Sequence, residues 1–166
     1  MGVLTVGPEG LQLATEKCGV TSFAVRLRDI ATSYARLAHA ATQGAPATSQ
    51  IVEAMTTCPG YVTGRGRPGT ALTEVAGSRL FVKSGAEGVF GVGVLESGLG
   101  VVVKVEDGAQ RAATPALLAT LAELDVITSA ELDQLARFAR PTIRNTRGDV
   151  VGKVQKTLEF ATPGKP

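Results

Sequence analysis

The chain has 166 residues, of which 44% are hydrophobic and 19% charged, and this composition predicts one globular domain over residues 1–166 rather than a disordered chain. The net charge of +2 comes from dispersed lysines and arginines without interleaved aromatic residues, so we expect no nucleic-acid partner. Neither a signal peptide nor an apolar span of about 20 residues is present, so we expect a cytoplasmic protein without membrane contact.

The first half of the chain is predicted to be mostly helical, after an irregular and glycine-dotted segment over residues 1–20. Apolar residues recur at spacings of three and four over residues 21–43, which predicts a long helix. A shorter helix is predicted over residues 48–57, where Pro59 follows and stops it. Residues 60–70 contain four glycines, two arginines and a proline, and this composition predicts a loop.

The second half of the chain is predicted to begin with strands and to end with helices. The strands are expected over residues 80–83, 89–95 and 99–105, and a last strand over residues 150–158. Thr114-Pro115 is expected to open one helix, and the capping box from Thr128 to Glu131 opens the next. We therefore expect an α+β fold, in which helices pack against an antiparallel sheet that holds Lys83 on an inner strand.

Lys83, Ser84 and Gly85 are the first candidate site residues, because they follow one another at the end of a predicted strand. A Lys-Ser/Thr-Gly tripeptide in this position recurs beside the serine nucleophile of β-lactamases and penicillin-binding proteins. The glycine allows a substrate to approach the backbone. A strand end followed by an ordinary turn gives the same tripeptide, so this motif alone leaves both interpretations open.

Further segments of the chain extend this motif in one consistent order. They are Lys-Ser-Gly-Ala-Glu-Gly-Val at 83–89, Leu-Gly-Val-Val-Val-Lys-Val-Glu-Asp-Gly-Ala-Gln-Arg-Ala at 99–112, Glu-Lys-Cys-Gly-Val-Thr-Ser-Phe-Ala at 16–24 and Arg-Asn-Thr-Arg-Gly-Asp-Val-Val-Gly at 144–152. Together they resemble the asparaginase II family, the rhizobial-type L-asparaginases with a serine β-lactamase-like fold. The resemblance covers roughly residues 13–154.

The resemblance implies hydrolysis of L-asparagine to L-aspartate and ammonia, with L-asparagine as the small-molecule partner. It also implies roles for six residues of this chain. They are Lys83 and Ser84 in catalysis, Gly85, Glu87 and Glu16 in substrate binding, and Cys18 as a metal ligand. No cofactor is required, although Cys18 would bind zinc if the other ligands came from a missing half of the protein.

Several of these residues have a second interpretation. Ser84 equally fits a role in the turn, and Glu87 equally fits a hairpin charge instead of a group that orients Lys83 or binds the substrate ammonium. Glu16 stands where the family has aspartate, and Lys17 stands where it has glycine. His39, the single histidine, is expected on a helix surface, and Cys58 is expected to be a buried thiol.

The chain lacks the Ser-x-x-Lys nucleophile motif, which lies in the first half of family members that are about twice as long. The nearest string, Ser33-Tyr-Ala-Arg36, does not replace it, because an arginine stays protonated and cannot act as a base. We therefore expect a truncated, C-terminal half of an asparaginase that is inactive alone. Its expected partners are a complementing N-terminal half or a second copy in a homo-oligomer.

Two other functions stay open at this point. Lys83-Ser84-Gly85 also fits an acyl hydrolase that acts on β-lactams or peptidoglycan peptides, similar to a D,D-peptidase. The missing nucleophile motif also fits a non-catalytic module that binds ligands or forms oligomers.

Overall fold

The computed structural model describes residues 11–16 and 18–157 and confirms a mixed α+β architecture. The helices are α1 (Leu27–Thr42), α2 (Pro46–Thr57), α3 (Pro59–Thr63), α4 (Pro68–Ala76), α5 (Gln110–Glu123), α6 (Ser129–Gln134) and α7 (Ala136–Ala139). The strands are β1 (Gln12–Thr15), β2 (Thr21–Ala24), β3 (Leu80–Gly85), β4 (Val89–Val94), β5 (Leu99–Lys104), β6 (Thr142–Arg144) and β7 (Val150–Lys153). None of the helices in the described ranges is long and apolar enough to cross a membrane.

The strands of the described residues form three antiparallel sheets: a central sheet in the order β3-β4-β5, and two hairpins, β1-β2 and β6-β7. Because β4 lies in the middle of the central sheet, β3 is an edge strand. The expectation that Lys83 lies on an inner strand was therefore wrong. In the register of β3 and β4, Lys83 is opposite Gly91 and Ser84 is opposite Phe90, so these two neighbours project from opposite faces of the sheet.

One face of the central sheet is built from large aliphatic and aromatic side chains. Leu80, Val82, Phe90, Val92 and Val101 are buried on this face. They pack in one cluster with Leu72 of α4 and with Leu117, Leu118 and Leu121 of α5. This cluster is the main hydrophobic core, and it fixes α4 and α5 against the face from which Ser84 also projects.

The opposite face of the central sheet contains glycines, and α1 lies directly on them. A Cβ atom added to Gly100 would be 1.8 Å from the carbonyl oxygen of Ala31, and one added to Gly91 would be 2.3 Å from the Tyr34 ring. The ring of Phe81 covers Gly93 in the same way and stacks on Tyr34 with 5.8 Å between the ring centroids. Burial of the Tyr34 ring raises the pKa of its hydroxyl.

Gly100→Ala is expected to destabilise the protein by about 3 kcal/mol, since the added methyl group meets helix backbone that cannot rotate away. Urea unfolding at neutral pH measures this loss. Gly152→Ala in β7 is the matched control, because its added Cβ would meet only Ile143 at 3.6 Å, and it is expected to change stability by less than about 0.5 kcal/mol. Equal stability of the two variants would contradict the close packing of α1.

Arg79 and Glu131 form a connection between the start of β3 and the helices that follow α5. The Glu131 carboxylate accepts hydrogen bonds from the backbone N–H of Thr128 at 2.7 Å and from Arg79, while the Thr128 hydroxyl accepts from the Glu131 N–H at 3.2 Å. The capping box predicted from the sequence is thus confirmed. The backbone N–H of Thr128 makes the largest contribution to lowering the pKa of Glu131, and Arg79 lowers it further.

Glu131→Gln is expected to lower the free energy of unfolding by about 1–2 kcal/mol at pH 7. Because the folded-state pKa of Glu131 lies below its unfolded value, this stabilisation is present at neutral pH and is lost as the pH falls through the folded pKa. The difference between wild type and variant should therefore shrink below about pH 4 in urea unfolding curves.

Asp133→Asn provides the control for this measurement. Its carboxylate pairs with Arg140 at 2.8 Å, but both side chains are more than half exposed, so we expect a change below about 0.5 kcal/mol. A pH-independent difference between Glu131→Gln and wild type would contradict the role of the ionised carboxylate.

The structure corrects several element boundaries that the sequence analysis placed. Residues 21–24 form β2 rather than the start of the long helix, and Phe23 lies opposite Leu13 of β1 in an exposed hairpin. The loop predicted over residues 60–70 is confined to residues 64–67, because Pro59 and Pro68 occupy the first turns of α3 and α4. A proline is favoured there, since the first-turn N–H has no helical partner to lose.

The C-terminal half contains two further differences. Helix α5 begins at Gln110, where the Asp107 carboxylate accepts from the backbone N–H of Ala109 at 2.9 Å, so Pro115 lies inside the helix rather than at its start. The last predicted strand is shorter, and it pairs with β6, which the sequence did not predict. Residue 158, where that strand was expected to end, lies outside the described residues, as does Lys17.

Candidate functional site

A cavity of about 490 Å³ lies at the end of β3, between the first turns of α4 and α5. This volume is in the range of about 300–1,000 Å³ that is typical of small-molecule sites. Three separate segments of the chain line it. They are Thr63, Arg67, Pro68 and Gly69 from the α3–α4 region, Ser84, Gly85 and Phe90 from the β3–β4 hairpin, and Gln110, Arg111 and Thr114 from α5.

The inner wall of the cavity is formed by β3, β4 and α5. Ser84 continues the row of Leu80 and Val82 on the face of the main core, so the strand alternation turns its side chain toward α5. The Gln110 amide donates to the Gly85 carbonyl at 3.1 Å and thereby joins the start of α5 to the end of β3. The motif residues Ser84 and Gly85 therefore line the cavity, as required for contact with a ligand there.

The opposite wall is formed by α3 and α4, in the segment that the sequence analysis described as a loop. The Thr63 and Thr70 hydroxyls are 2.8 Å apart, and the Thr70 hydroxyl also donates to the Gly64 carbonyl at 2.6 Å. A Cβ atom at Gly69 would be 2.8 Å from Thr63, so a glycine is required for this contact. The sequence signal that was missed is Pro68, which begins α4 directly after Arg67.

The cavity is cationic, and two of its hydroxyl groups form no hydrogen bond with another described residue. The described residues of its lining include two guanidinium groups, Arg67 and Arg111, and no carboxylate. The hydroxyls of Ser84 and Thr114 have no hydrogen-bond partner within the described residues. These groups donate hydrogen bonds, and the arrangement therefore suits an anionic or carbonyl-bearing ligand.

Lys83 does not line this cavity, because it projects from the other face of β3. Its side chain is exposed, and its ammonium group donates to the Ser84 carbonyl at 2.7 Å. Glu87 lies in the β3–β4 turn with φ +56°, and its carboxylate is next to Gly108. The structure thus brings Ser84 and Gly85 together at the cavity, while the roles of Lys83 and Glu87 stay predictions.

Glu16 and Cys18 lie at the turn of the β1-β2 hairpin, and both are exposed. The turn is closed by the Glu16 N–H, which donates to the Val20 carbonyl at 3.0 Å. Within residues 11–16 and 18–157, no three His, Cys, Asp or Glu side chains come together as a metal site. Because a structural zinc ion takes four ligands, Cys18 and its surroundings do not fit zinc without ligands from elsewhere.

Two secondary expectations had opposite outcomes. His39 is exposed in the last turn of α1, so the predicted helix-surface position is confirmed. Cys58 is exposed, and the expectation of a buried thiol was wrong. It lies at the junction of α2 and α3, where two helices meet at Pro59 and the chain is on the surface.

Comparison with known proteins identifies the family. The family described as L-asparaginase II matches residues 2–156, which is nearly the whole chain. The chain belongs to the L-asparaginase II family. No curated protein matches it. In this L-asparaginase II family member, the motif residues Ser84 and Gly85 lie at the cavity, together with Arg67, Arg111 and Thr114, which the sequence analysis did not select.

Both cysteines of the folded protein should react with a chromogenic disulfide reagent, because both are free and exposed. We expect two thiols per chain without denaturant, and the same number after unfolding. The variants Cys18→Ser and Cys58→Ser should each lose one. A thiol that reacts only after denaturation would contradict the exposed position of that cysteine.

Proposed function

We propose that this chain provides the substrate-binding part of an L-asparaginase, which hydrolyses the side-chain amide of L-asparagine to L-aspartate and ammonia. The observation that carries the proposal is the position of Ser84 and Gly85, which line a cationic cavity in a member of the L-asparaginase II family. In this proposal the expected half of a serine β-lactamase-like fold corresponds to the central sheet with its two layers of helices.

The proposed reaction requires a nucleophile, a proton carrier and a group that binds the oxyanion. A serine hydroxyl attacks the amide carbon, the C–N bond breaks, the nitrogen leaves as ammonia after gaining a proton, and water then hydrolyses the acyl-enzyme ester. Ser84 donates a hydrogen bond to the substrate, and the backbone of edge strand β3 at Gly85 approaches its carbonyl group. Neither Glu87 nor Glu16 lines the cavity, so in this proposal they bind the substrate ammonium group only once the nucleophile-bearing segment completes the site.

Lys83 acts as the proton carrier in this proposal. Its ammonium group is already within 2.7 Å of the Ser84 carbonyl, at the rim of the strand that borders the cavity. Because β3 is an edge strand, no other strand within the described part of the chain lies on its outer side. A flexible four-carbon side chain can therefore swing over this edge toward the substrate.

The described residues around the cavity do not activate a serine. The charged groups among them are two guanidinium groups, which stay protonated and do not accept the hydroxyl proton. We therefore propose that a Ser-x-x-Lys segment outside these 166 residues supplies the nucleophile, either from further chain or from a complementing polypeptide. A second copy of this chain would provide an assembly partner but no such motif.

Ligand binding without catalysis is the second candidate function. The same observation favours it, because hydroxyls and guanidinium groups bind a carboxylate without any base. A β-lactam hydrolase is the third candidate, and turnover of a chromogenic β-lactam by the chain would favour it over the asparaginase proposal.

The purified 166-residue chain should release no ammonia from L-asparagine above a protein-free blank, measured with a coupled dehydrogenase assay. Addition of a Ser-x-x-Lys-bearing segment of the same family should restore release. In the complemented enzyme, Lys83→Ala should lower kcat by about 10²–10⁴-fold, the usual contribution of a general acid or base. Ammonia release by the chain alone would refute the need for an added nucleophile.

Lys153→Ala provides the control, because Lys153 belongs to β7 and does not line the cavity. We expect it to keep full activity. Equal activity of Lys83→Ala and Lys153→Ala would remove Lys83 from the mechanism.

A further inference from the structure

Thr114 has a buried hydroxyl without a partner. The residue is only 7% exposed and lines the cavity, and its hydroxyl makes no hydrogen bond within the described residues. Several other helical hydroxyls of this protein donate to the carbonyl four residues earlier. Examples are Thr73 to Gly69 at 3.0 Å and Thr120 to Ala116 at 2.8 Å. A buried hydroxyl that lacks such a bond is unfavourable, and a ligand in the cavity would satisfy it.

Two cations stand at the mouth of the same cavity. The Arg67 guanidinium has no ion pair with any described residue. The Arg111 guanidinium forms one weak ion pair, 4.0 Å from the Asp107 carboxylate. The Arg111 side chain is 81% exposed. Because Thr114 and Phe90 are buried and both arginines are exposed, the cavity has hydroxyl donors inside and positive charge at its rim.

We propose that this cavity binds the α-carboxylate of a small amino acid. Arg67 and Arg111 neutralise the carboxylate, and the hydroxyl of Thr114 donates a hydrogen bond to it. Guanidinium groups suit this role, since their planar donors match the geometry of a carboxylate. The identity of the ligand as L-asparagine rests on the proposed function, and its side-chain amide then lies toward Ser84 and Gly85.

The test is a ¹H–¹⁵N NMR titration of the full chain with L-asparagine and with L-asparaginamide. The second compound keeps the side-chain amide and the ammonium group but lacks the carboxylate. We expect L-asparagine to bind at least about tenfold more tightly, since a charge-assisted hydrogen bond is lost in the amide. Equal affinity for the two compounds, or no shift of the cavity amides with either, would overturn the proposal.

Arg67→Gln and Arg65→Gln form a matched pair of variants. Both arginines are exposed in the segment before α4, but only Arg67 lines the cavity. Arg67→Gln should weaken L-asparagine binding about tenfold or more, whereas Arg65→Gln should leave it unchanged. The same loss in both variants would indicate attraction by overall charge and would refute a specific site.

Thr114→Val gives an independent readout, with Thr120→Val in the same helix as its control. Removal of the unpartnered hydroxyl should weaken L-asparagine binding several-fold and raise the Tm of the ligand-free chain. Thr120→Val should lower the Tm and leave binding unchanged, because it loses the bond to Ala116. Unchanged binding by Thr114→Val would exclude this hydroxyl from the site.

Failure of this inference and failure of the proposed function give different results. Carboxylate-dependent binding by the chain, without ammonia release in the complemented enzyme, would support the subsite and reject the asparaginase reaction. Ammonia release at equal rates by the wild-type and Arg67→Gln forms of the complemented enzyme would support the reaction and reject the subsite.

Discussion

The contact between α1 and the glycine-bearing face of the central sheet is the constraint on which the arrangement of the two sheet faces depends. At Gly100 a Cβ atom would be 1.8 Å from the helix backbone, so this helix can lie on the sheet only where side chains are absent. Phe81 and Tyr34 fill the remaining space by stacking. Apart from Phe81, the large side chains of the sheet are consequently concentrated on the other face, where they pack with α4 and α5 in the main core. The cavity exists because these two helices begin beside the end of β3.

Lys83 and Ser84 are neighbours in the motif Lys83-Ser84-Gly85, but strand alternation places their side chains on opposite faces of the central sheet. Lys83 continues the row of Phe81, on the face of α1, and Ser84 continues the row of Val82, on the face of α5. The sequence motif therefore does not correspond to one group of neighbouring side chains in the structure. Only the position of β3 at an edge allows a long side chain from one face to act at the other. The edge position is thus more important for the proposed chemistry than the tripeptide itself.

The sequence predicted the central strands, the capping box at Thr128 and the surface position of His39, because each has a local signal. Strand alternation, reciprocal hydrogen bonds and helical periodicity all act within a few residues. The walls of the cavity were not predicted, since they combine segments that are far apart in the chain. Arg67 lies just before α4 and Thr114 lies in α5, and no local pattern indicates that both line the same cavity as Ser84. The segment at 60–70 also has a composition typical of a loop, and only the first-turn preference of proline indicates a helix there.

The hydrogen bonds that fix the walls of the cavity are made by Gln110, Thr63 and Thr70. They do not involve the hydroxyls of Ser84 and Thr114. Gln110 joins α5 to β3 through the Gly85 carbonyl, and Thr63 joins α3 to α4 through Thr70, so both walls are fixed before any ligand enters. Ser84 and Thr114 then keep hydroxyls that have no partner among residues 11–16 and 18–157, in a site that already exists. The Thr114 hydroxyl is destabilising in this position, because it is buried without an acceptor, whereas Ser84 is half-buried. Their position beside two arginines supports the proposed ligand, which accepts hydrogen bonds and carries negative charge.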